Sequence, residues 1–240
     1  MDPRLVTIGR RLERIGRIVA VTGGKGGVGK SLVATTLALC CAERGLRTGL
    51  LDLDLTSPCD HILLGLDKQY PEERFGLEPP EVNGVRFMSV VYFSGPRPAP
   101  LRGEDFSNAL VELLTITQWG ELDLLVIDMP PGISDAALDA ARLIPRAEHL
   151  VVATGSRVVV ETVRRTLELL LQIRTPVLGV VENMSRGDGT RVAELADDHG
   201  VPYLGAVPFD PALEEATGDA RALAGTEVAG ALRRLSERLL

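Results

Sequence analysis

Gly23-Gly24-Lys25-Gly26-Gly27-Val28-Gly29-Lys30-Ser31 decides how the rest of this 240-residue chain is read. It follows the apolar run Ile18-Val19-Ala20-Val21 and precedes Leu32-Val33-Ala34-Thr35-Thr36-Leu37-Ala38-Leu39, whose spacing is helical. Strand, glycine loop and helix together make G-x-x-x-x-G-K-S a phosphate site rather than an ordinary turn. The glycines let successive backbone N–H groups curl around an anion, and the helix adds its positive end. Gly24, Gly26, Gly27, Val28, Gly29 and Leu32 are therefore expected around the phosphates. Lys30 is expected to reach the β- and γ-phosphates as a point charge, and Ser31 to ligate Mg²⁺.

Outward from the loop, the metal and the attacking water need carboxylates. Leu122-Asp123-Leu124-Leu125-Val126-Ile127-Asp128 is a continuous apolar run that ends in an acid, as a buried parallel strand should. Asp128 then opens Asp128-Met129-Pro130-Pro131-Gly132, placing it to hold Mg²⁺ and Gly132 to offer an N–H to the γ-phosphate. A loop in contact with the γ-phosphate can change shape when that group leaves. Asp52 and Asp54 flank Leu53 at the end of a second strand, Thr48–Asp52, so both side chains fall on one side of an extended chain. One can position water while the other supports the metal. The sites expected from the residues are thus Lys30, Asp52, Asp54 and Asp128 for chemistry, and Ser31, Asp54 and Asp128 for the cation.

Lysine usage points the same way. Of the 26 basic residues only Lys25, Lys30 and Lys68 are lysines, and two of these lie in one loop. A chain that otherwise prefers arginine keeps lysine where a compact, hydrated charge is wanted. The base is argued by exclusion. Asp67-Lys68-Gln69-Tyr70 is not a guanine-reading Asn/Thr-Lys-x-Asp segment, and Asn183, after Val177–Val181, is an amide suited to adenine. ATP is the expected nucleotide.

Bulk properties set the frame. The apolar share of 45% is ample for a core, and a net charge of −7 argues against a general nucleic-acid binder. Cys40, Cys41 and Cys59 suggest a reducing compartment, and no signal peptide or membrane-length apolar run is read, so a cytoplasmic protein is expected. Strands at 85–91, 149–153, 177–181 and 204–207 alternate with helical segments near 104–119, 134–143, 159–173, 189–199 and 226–240. That alternation predicts an α/β fold, a mostly parallel doubly wound sheet flanked by helices. Residues 1–16 are expected to be a lead-in segment with a short helix, and 17–240 a single ATPase domain. Gly95-Pro96-Arg97-Pro98-Ala99-Pro100 reads as a surface connection.

Three stretches resemble one family, the Mrp/Nbp35 branch of the MinD/ParA P-loop ATPases: Ala20–Leu55, Trp119–Gly132, and Gly179-Val180-Val181-Glu182-Asn183-Met184-Ser185 through Val207-Pro208-Phe209-Asp210-Pro211. The K-G-G-x-G-K-S loop is similar to that class's deviant P-loop. The resemblance implies a P-loop NTPase fold, a nucleotide-sandwich homodimer, slow ATP hydrolysis, protein clients, and work in iron–sulfur cluster assembly or delivery. It further implies that Lys25 crosses the dimer interface to the partner's nucleotide. Asp52 and Asp54 would then belong to a first switch, Asp128 and Gly132 to a second, and Asn183 and Pro208 to the adenine pocket. Members that carry a cluster have a C-x-x-C after the N-M-S segment. Here Met184-Ser185 runs into Arg186-Gly187-Asp188-Gly189-Thr190, and no cysteine follows Cys59. Cys40 and Cys41 read as small core residues. Cys59 is left as a weak candidate ligand, with a plain switch-loop residue as its other reading.

Two other functions compete. A ParA- or MinD-type positioning ATPase would cycle on DNA or a membrane, for which Ala231–Leu240, arginines opposite leucines, is a candidate surface helix. Its other reading is a last helix packed on the sheet, and there is no strong sign of nucleic-acid or membrane binding. A metabolic enzyme phosphorylating a small carboxylate would need a substrate pocket that no residue marks.

Overall fold

The computed structural model describes residues 2–54, 57–66, 69–94, 104–132, 134–187 and 189–239. The proline-rich connection at 95–100, Leu55, Thr56, Asp67, Lys68, Asp188 and Leu240 lie outside the described residues.

The chain opens with α1 (Pro3–Leu12), β1 (Ile15–Gly23), α2 (Lys30–Glu43) and β2 (Thr48–Asp52). A short helix, α3 (Asp60–Leu63), precedes the small strands β3 (Glu72–Glu73), β4 (Leu77–Glu78) and β5 (Glu81–Val82), then β6 (Val85–Ser89), α4 (Val91–Ser94) and α5 (Glu104–Ile116). The second half alternates: β7 (Leu122–Asp128), α6 (Asp135–Leu143), β8 (Glu148–Ala153), α7 (Arg157–Gln172), β9 (Val177–Ser185), α8 (Thr190–Asp198) and β10 (Tyr203–Pro208). Three helices close it, α9 (Leu213–Ala216), α10 (Ala220–Ala224) and α11 (Glu227–Leu239).

Eight strands form one sheet in the order β10-β9-β8-β1-β7-β2-β6-β5, parallel except for the short edge strand β5. Side chains alternate across it, and the core divides accordingly. Val19, Val21, Leu124, Val126 and Leu50 join a cluster with α2, α7, α8, α10 and α11. Ile18, Ala20, Leu125, Ile127 and Leu51 join a second with α1, α5 and α6. Helix α2 is buried along nearly its whole length and has no polar face, because the sheet covers one side and α11 the other.

The expected strands and helices stand at their places, with shifted ends. The strand expected over 85–91 stops at Ser89, and 91–94 turns into α4. The helix expected to reach Trp119 stops at Ile116, because the next residues pair elsewhere: Gln118 N–H donates to Leu77 C=O at 2.8 Å. The hairpin β3–β4 has two residues on each strand, three of the four being glutamates, which is too short to show an apolar alternation.

Helix α1 is packed: Ile8 and Leu12 are buried with Leu110, Leu113 and Leu114 of α5, and β1 begins at Ile15. At the other end Leu232 and Leu235 of α11 are buried in the core, so its apolar face is used internally. Among the described residues no helix is long and apolar enough to cross a membrane.

Candidate functional site: a phosphate loop over buried carboxylates

The parallel strands bring their carboxyl ends to one edge, and the site is built there. β1 feeds the glycine loop, in which Gly27 and Gly29 take φ values of 80° and 82°, left-handed backbone that favours glycine. Gly29 is the N-cap of α2, whose first residue is Lys30. A Cβ on Gly24 would stand 2.6 Å from the backbone of Thr162 and Val163, so α7 packs directly on the loop. Gly26 and Gly27 face solvent, Val28 is buried, and Leu32 is buried in the core below the loop.

The two loop lysines differ. Lys25 is exposed, whereas Lys30 is 7% exposed and turned inward, its Nζ 3.8 Å from Asp128 Oδ1 and 3.9 Å from Asp54 Oδ2. Ser31 Oγ donates to Asp128 Oδ2 at 2.5 Å. Lys30, Ser31 and Asp128 are thus brought together as the sequence reading expected.

β2 and β7 are neighbours in register, with Asp52 opposite Asp128. Asp52 Oδ1 accepts the Asp54 N–H at 3.0 Å, and Asp52 Oδ2 accepts from Ser89 Oγ at 3.0 Å. Asp54 turns toward Lys30 and accepts the Ser57 N–H at 3.1 Å. Asp60, at the start of α3, is a residue that sequence reasoning missed. It is fully buried, its Oδ1 accepts from Thr35 Oγ1 at 3.1 Å, and one of its oxygens lies with oxygens of Asp52 and Asp128 inside a 4.8 Å span. Nothing in the local sequence marked it, since an acid that starts a helix is commonplace. Burial raises the carboxyls of Asp52, Asp60 and Asp128 above the ordinary carboxylate range. Mutual repulsion adds to the rise at Asp52 and Asp60, while Lys30 opposes it at Asp128.

The donor set suits Mg²⁺, which takes oxygen ligands. Asp128 Oδ1 and Asp60 Oδ2 are buried oxygens with no hydrogen-bond partner among the described residues, and the Ser31 hydroxyl adjoins Asp128.

The remaining expected residues lie at the rim. Gly132 takes φ 68° and its N–H donates to Gly23 C=O at 3.1 Å, so in this state that N–H is committed to the loop rather than open to a phosphate. Asn183, 1% exposed, donates from Nδ2 to Val28 C=O at 3.0 Å and so braces the loop from beneath. Half-buried Pro208 ends β10 opposite Ser185. Beside it, the Arg186 guanidinium lies 4.0 Å over the exposed Phe209 ring, a flat surface that the sequence reading did not single out.

Cys40 and Cys41 are buried in α2, and burial pushes their thiols up to about 11 and about 12. Half-buried Cys59 stands at the N-cap position of α3 without a side-chain capping bond; burial pushes its thiol up to about 11, so it stays protonated near neutral pH.

Residues 14–239 match the family model described as the ParA group's NUBPL iron-transfer P-loop NTPase. An iron-sulfur cluster carrier protein of Mycobacterium bovis is 38% identical over 225 residues, covering 86% of this chain and 59% of the relative. The chloroplastic Fe-S cluster assembly factor HCF101 of Arabidopsis thaliana is 36% identical over 221 residues, covering 87% of this chain and 41% of the relative. The chain therefore spans only part of the length of these relatives. A nucleotide-binding protein of Archaeoglobus fulgidus, solved in complex with ADP and with cobalt found, superposes with a TM-score of 0.76 at 31% identity, over 91% of this chain and 92% of its own. The glycine loop, the buried lysine and the parallel sheet are those of a nucleotide-binding P-loop NTPase, and the chain belongs to the NUBPL iron-transfer family of that group.

Proposed function

We propose that the chain binds and slowly hydrolyses ATP, and that two copies sandwich the nucleotide and work as a switch in iron–sulfur cluster assembly or delivery in the cytoplasm. The observation that carries this reading is Lys30, Ser31 and Asp128 held within contact range of one another under a glycine loop. The relatives' names supply the biological setting. The ATPase domain runs from residue 17 onward, with α1 packed against it.

In this reading Gly24, Lys25, Gly26, Gly27, Val28, Gly29, Lys30, Ser31 and Leu32 surround the phosphates, and their N–H groups donate to the phosphate oxygens without reorganising. Lys30 neutralises the β- and γ-phosphates. Lys25, exposed in the loop, reaches the partner's nucleotide. Asp52 and Asp54 position the water for in-line attack, and Gly132 exchanges its bond to Gly23 for the γ-phosphate. Asn183 and Pro208 adjoin the adenine. Mg²⁺ would be held by Ser31 and Asp128 with Asp54 nearby, and supplies neutralisation of phosphate charge when bound.

A cluster is cargo here. With Cys40 and Cys41 in the core, Cys59 is the one thiol outside it, and thiolates are the ligands such clusters need. A protein client is therefore expected to hold the other ligands.

Two measurements test the reading. Lys25→Ala should keep nucleotide affinity but lose ATP-driven dimerisation in analytical ultracentrifugation; undiminished dimerisation removes the sandwich. Anaerobic transfer of a cluster from a loaded donor to an apo-ferredoxin should accelerate with this chain and ATP. Equal rates with and without the chain would leave an ATPase with some other task.

A further inference from the structure

The carboxylates beneath the loop exceed what a phosphate site requires. Oxygens of Asp52, Asp60 and Asp128 lie within 4.8 Å of one another, and all three residues are fully buried. They come from three elements, β2, α3 and β7, so the cluster is made by the fold and not by one acidic run. Asp54 stands just outside the trio, and among the described residues Lys30 is the cation in contact range, bridging Asp128 and Asp54. Other groups facing the trio, Ser31, Thr35, Ser89 and the Cys59 thiol, are uncharged.

The partners are unevenly shared. Asp52 has both oxygens hydrogen-bonded. Asp60 has one oxygen on Thr35 and the other, Oδ2, buried with no hydrogen-bond partner among the described residues. Asp128 has Oδ2 on Ser31, while Oδ1 is buried with no hydrogen-bond partner and lies 3.8 Å from Lys30. Carboxylate oxygens removed from water without a donor are costly unless a proton or a cation joins them. A phosphate arriving above adds negative charge and cannot satisfy them. The lone pairs left over are hard oxygen donors, the kind that selects Mg²⁺ or Mn²⁺ over softer metals.

We propose that Asp52, Asp60 and Asp128 hold one hard divalent cation in the absence of nucleotide, so that the chain meets its phosphate ligand already loaded with metal. Asp60 is the residue that makes this possible, because it adds a third carboxylate to the facing pair from β2 and β7. The proposal shares its location with the nucleotide site but not its test, which is run without nucleotide.

The experiment uses the full chain stripped of nucleotide and metal, titrated with Mn²⁺ and followed by the electron paramagnetic resonance signal of free Mn²⁺. Wild type should take up one Mn²⁺ per chain. Asp60→Asn keeps the size and the oxygen that accepts from Thr35, and should weaken Mn²⁺ at least about tenfold, as loss of one charged ligand does. In chelator its melting temperature should equal or exceed that of wild type, because a buried like charge is gone. Mn²⁺ should then raise the melting temperature of wild type and leave the variant unmoved. Asp52→Asn, with Ser89 still able to donate, is the second variant and should show the same loss. No Mn²⁺ uptake by wild type, or equal uptake by both variants, overturns the proposal. Lys30→Ala separates the two readings: it should lose labelled ADP while keeping or tightening Mn²⁺.

Discussion

Two segments at the same sheet edge, the glycine loop after β1 and the stretch from Asp52 to Asp60 after β2, are built on opposite physical terms. The first works with backbone. Its N–H groups are aimed by glycine conformations, Gly27 and Gly29 at φ near +80°, and its charge sits on exposed Lys25 and buried Lys30. The second works with side chains taken out of water, Asp52 and Asp60 both fully buried and Asp54 nearly so. An anion site is thus laid directly over an excess of anions, and Lys30 is the group that faces both. A positive loop alone would bind phosphate without a switch, and a carboxylate cluster alone would bind metal without a nucleotide. They touch through Lys30, whose Nζ lies 3.9 Å from Asp54 and 3.8 Å from Asp128.

The harshest test of that contact is Lys30→Ala. Its Nζ lies 3.8 Å from Asp128 and 3.9 Å from Asp54, so truncation leaves buried carboxylates with no lysine beside them. Breaking a buried pair on one side costs about 3–5 kcal/mol, and the same order is expected in nucleotide affinity, roughly a hundredfold or more. Titration with a fluorescent ADP checks it. A loss below about tenfold would mean that the backbone amides alone carry the phosphate, and the two segments would be independent.

The loop's root brings a second contrast, in pH response. His149 on β8 is 1% exposed, its Nδ1 is 2.9 Å from Thr22 Oγ1 of β1, and burial pushes its pKa down to about 4. A folded pKa below the unfolded value of about 6.5 favours the neutral ring. Its contribution is therefore present above pH 6.5 and lost as pH falls toward 4, about 3 kcal/mol in all. The carboxyls of the neighbouring segment are shifted the other way, upward. His149→Gln should flatten the acid limb of stability measured by urea unfolding between pH 7 and 4. An unchanged limb would place the acid sensitivity elsewhere.

The same contrast explains what could be read from the sequence. The loop is legible because its chemistry is local: glycine spacing, the preceding apolar strand and the following helix lie within one continuous stretch. β2 and β7 are legible too, since an apolar run ending in an acid needs no partner to be recognised, and Asp52 and Asp128 follow from it. Asp60 was invisible because its role depends on α3 folding back onto Thr35 of α2, a tertiary contact with no local signature. Asn183 was found for its amide, yet the amide is engaged with Val28 C=O, a bond that only the packing of β9 under the loop creates. The hairpin β3–β4 was missed for want of apolar alternation.

A milder change probes the loop from that packing. A Cβ at Gly29 would stand 2.2 Å from Asn183 Nδ2, at a backbone φ of 82°. Gly29→Ala should therefore destabilise by about 2 kcal/mol, roughly half from left-handed backbone and half from displacing the amide. Asn183→Ala in the same chain should recover the second half, measured as a double-mutant cycle in urea. Simple additivity would show that the amide is not what holds Gly29.

The gentlest change tests the acidic segment. Ser89 Oγ donates to Asp52 Oδ2 at 3.0 Å inside the sheet, and its hydroxyl also accepts the Val91 N–H at 3.2 Å. Ser89→Ala removes one donor from a carboxylate whose other oxygen already holds the Asp54 N–H, and the expected cost is about 1 kcal/mol in metal-free protein. If a cation is then supplied, Asp52 gains a stronger partner than the hydroxyl it lost, so the difference from wild type should shrink in Mn²⁺. Urea unfolding with and without Mn²⁺ reads both numbers. A cost that stays the same would mean that Asp52 is satisfied by hydrogen bonds alone and that the segment's excess charge resides on Asp60 and Asp128. The contrast with the loop would then narrow to those two side chains.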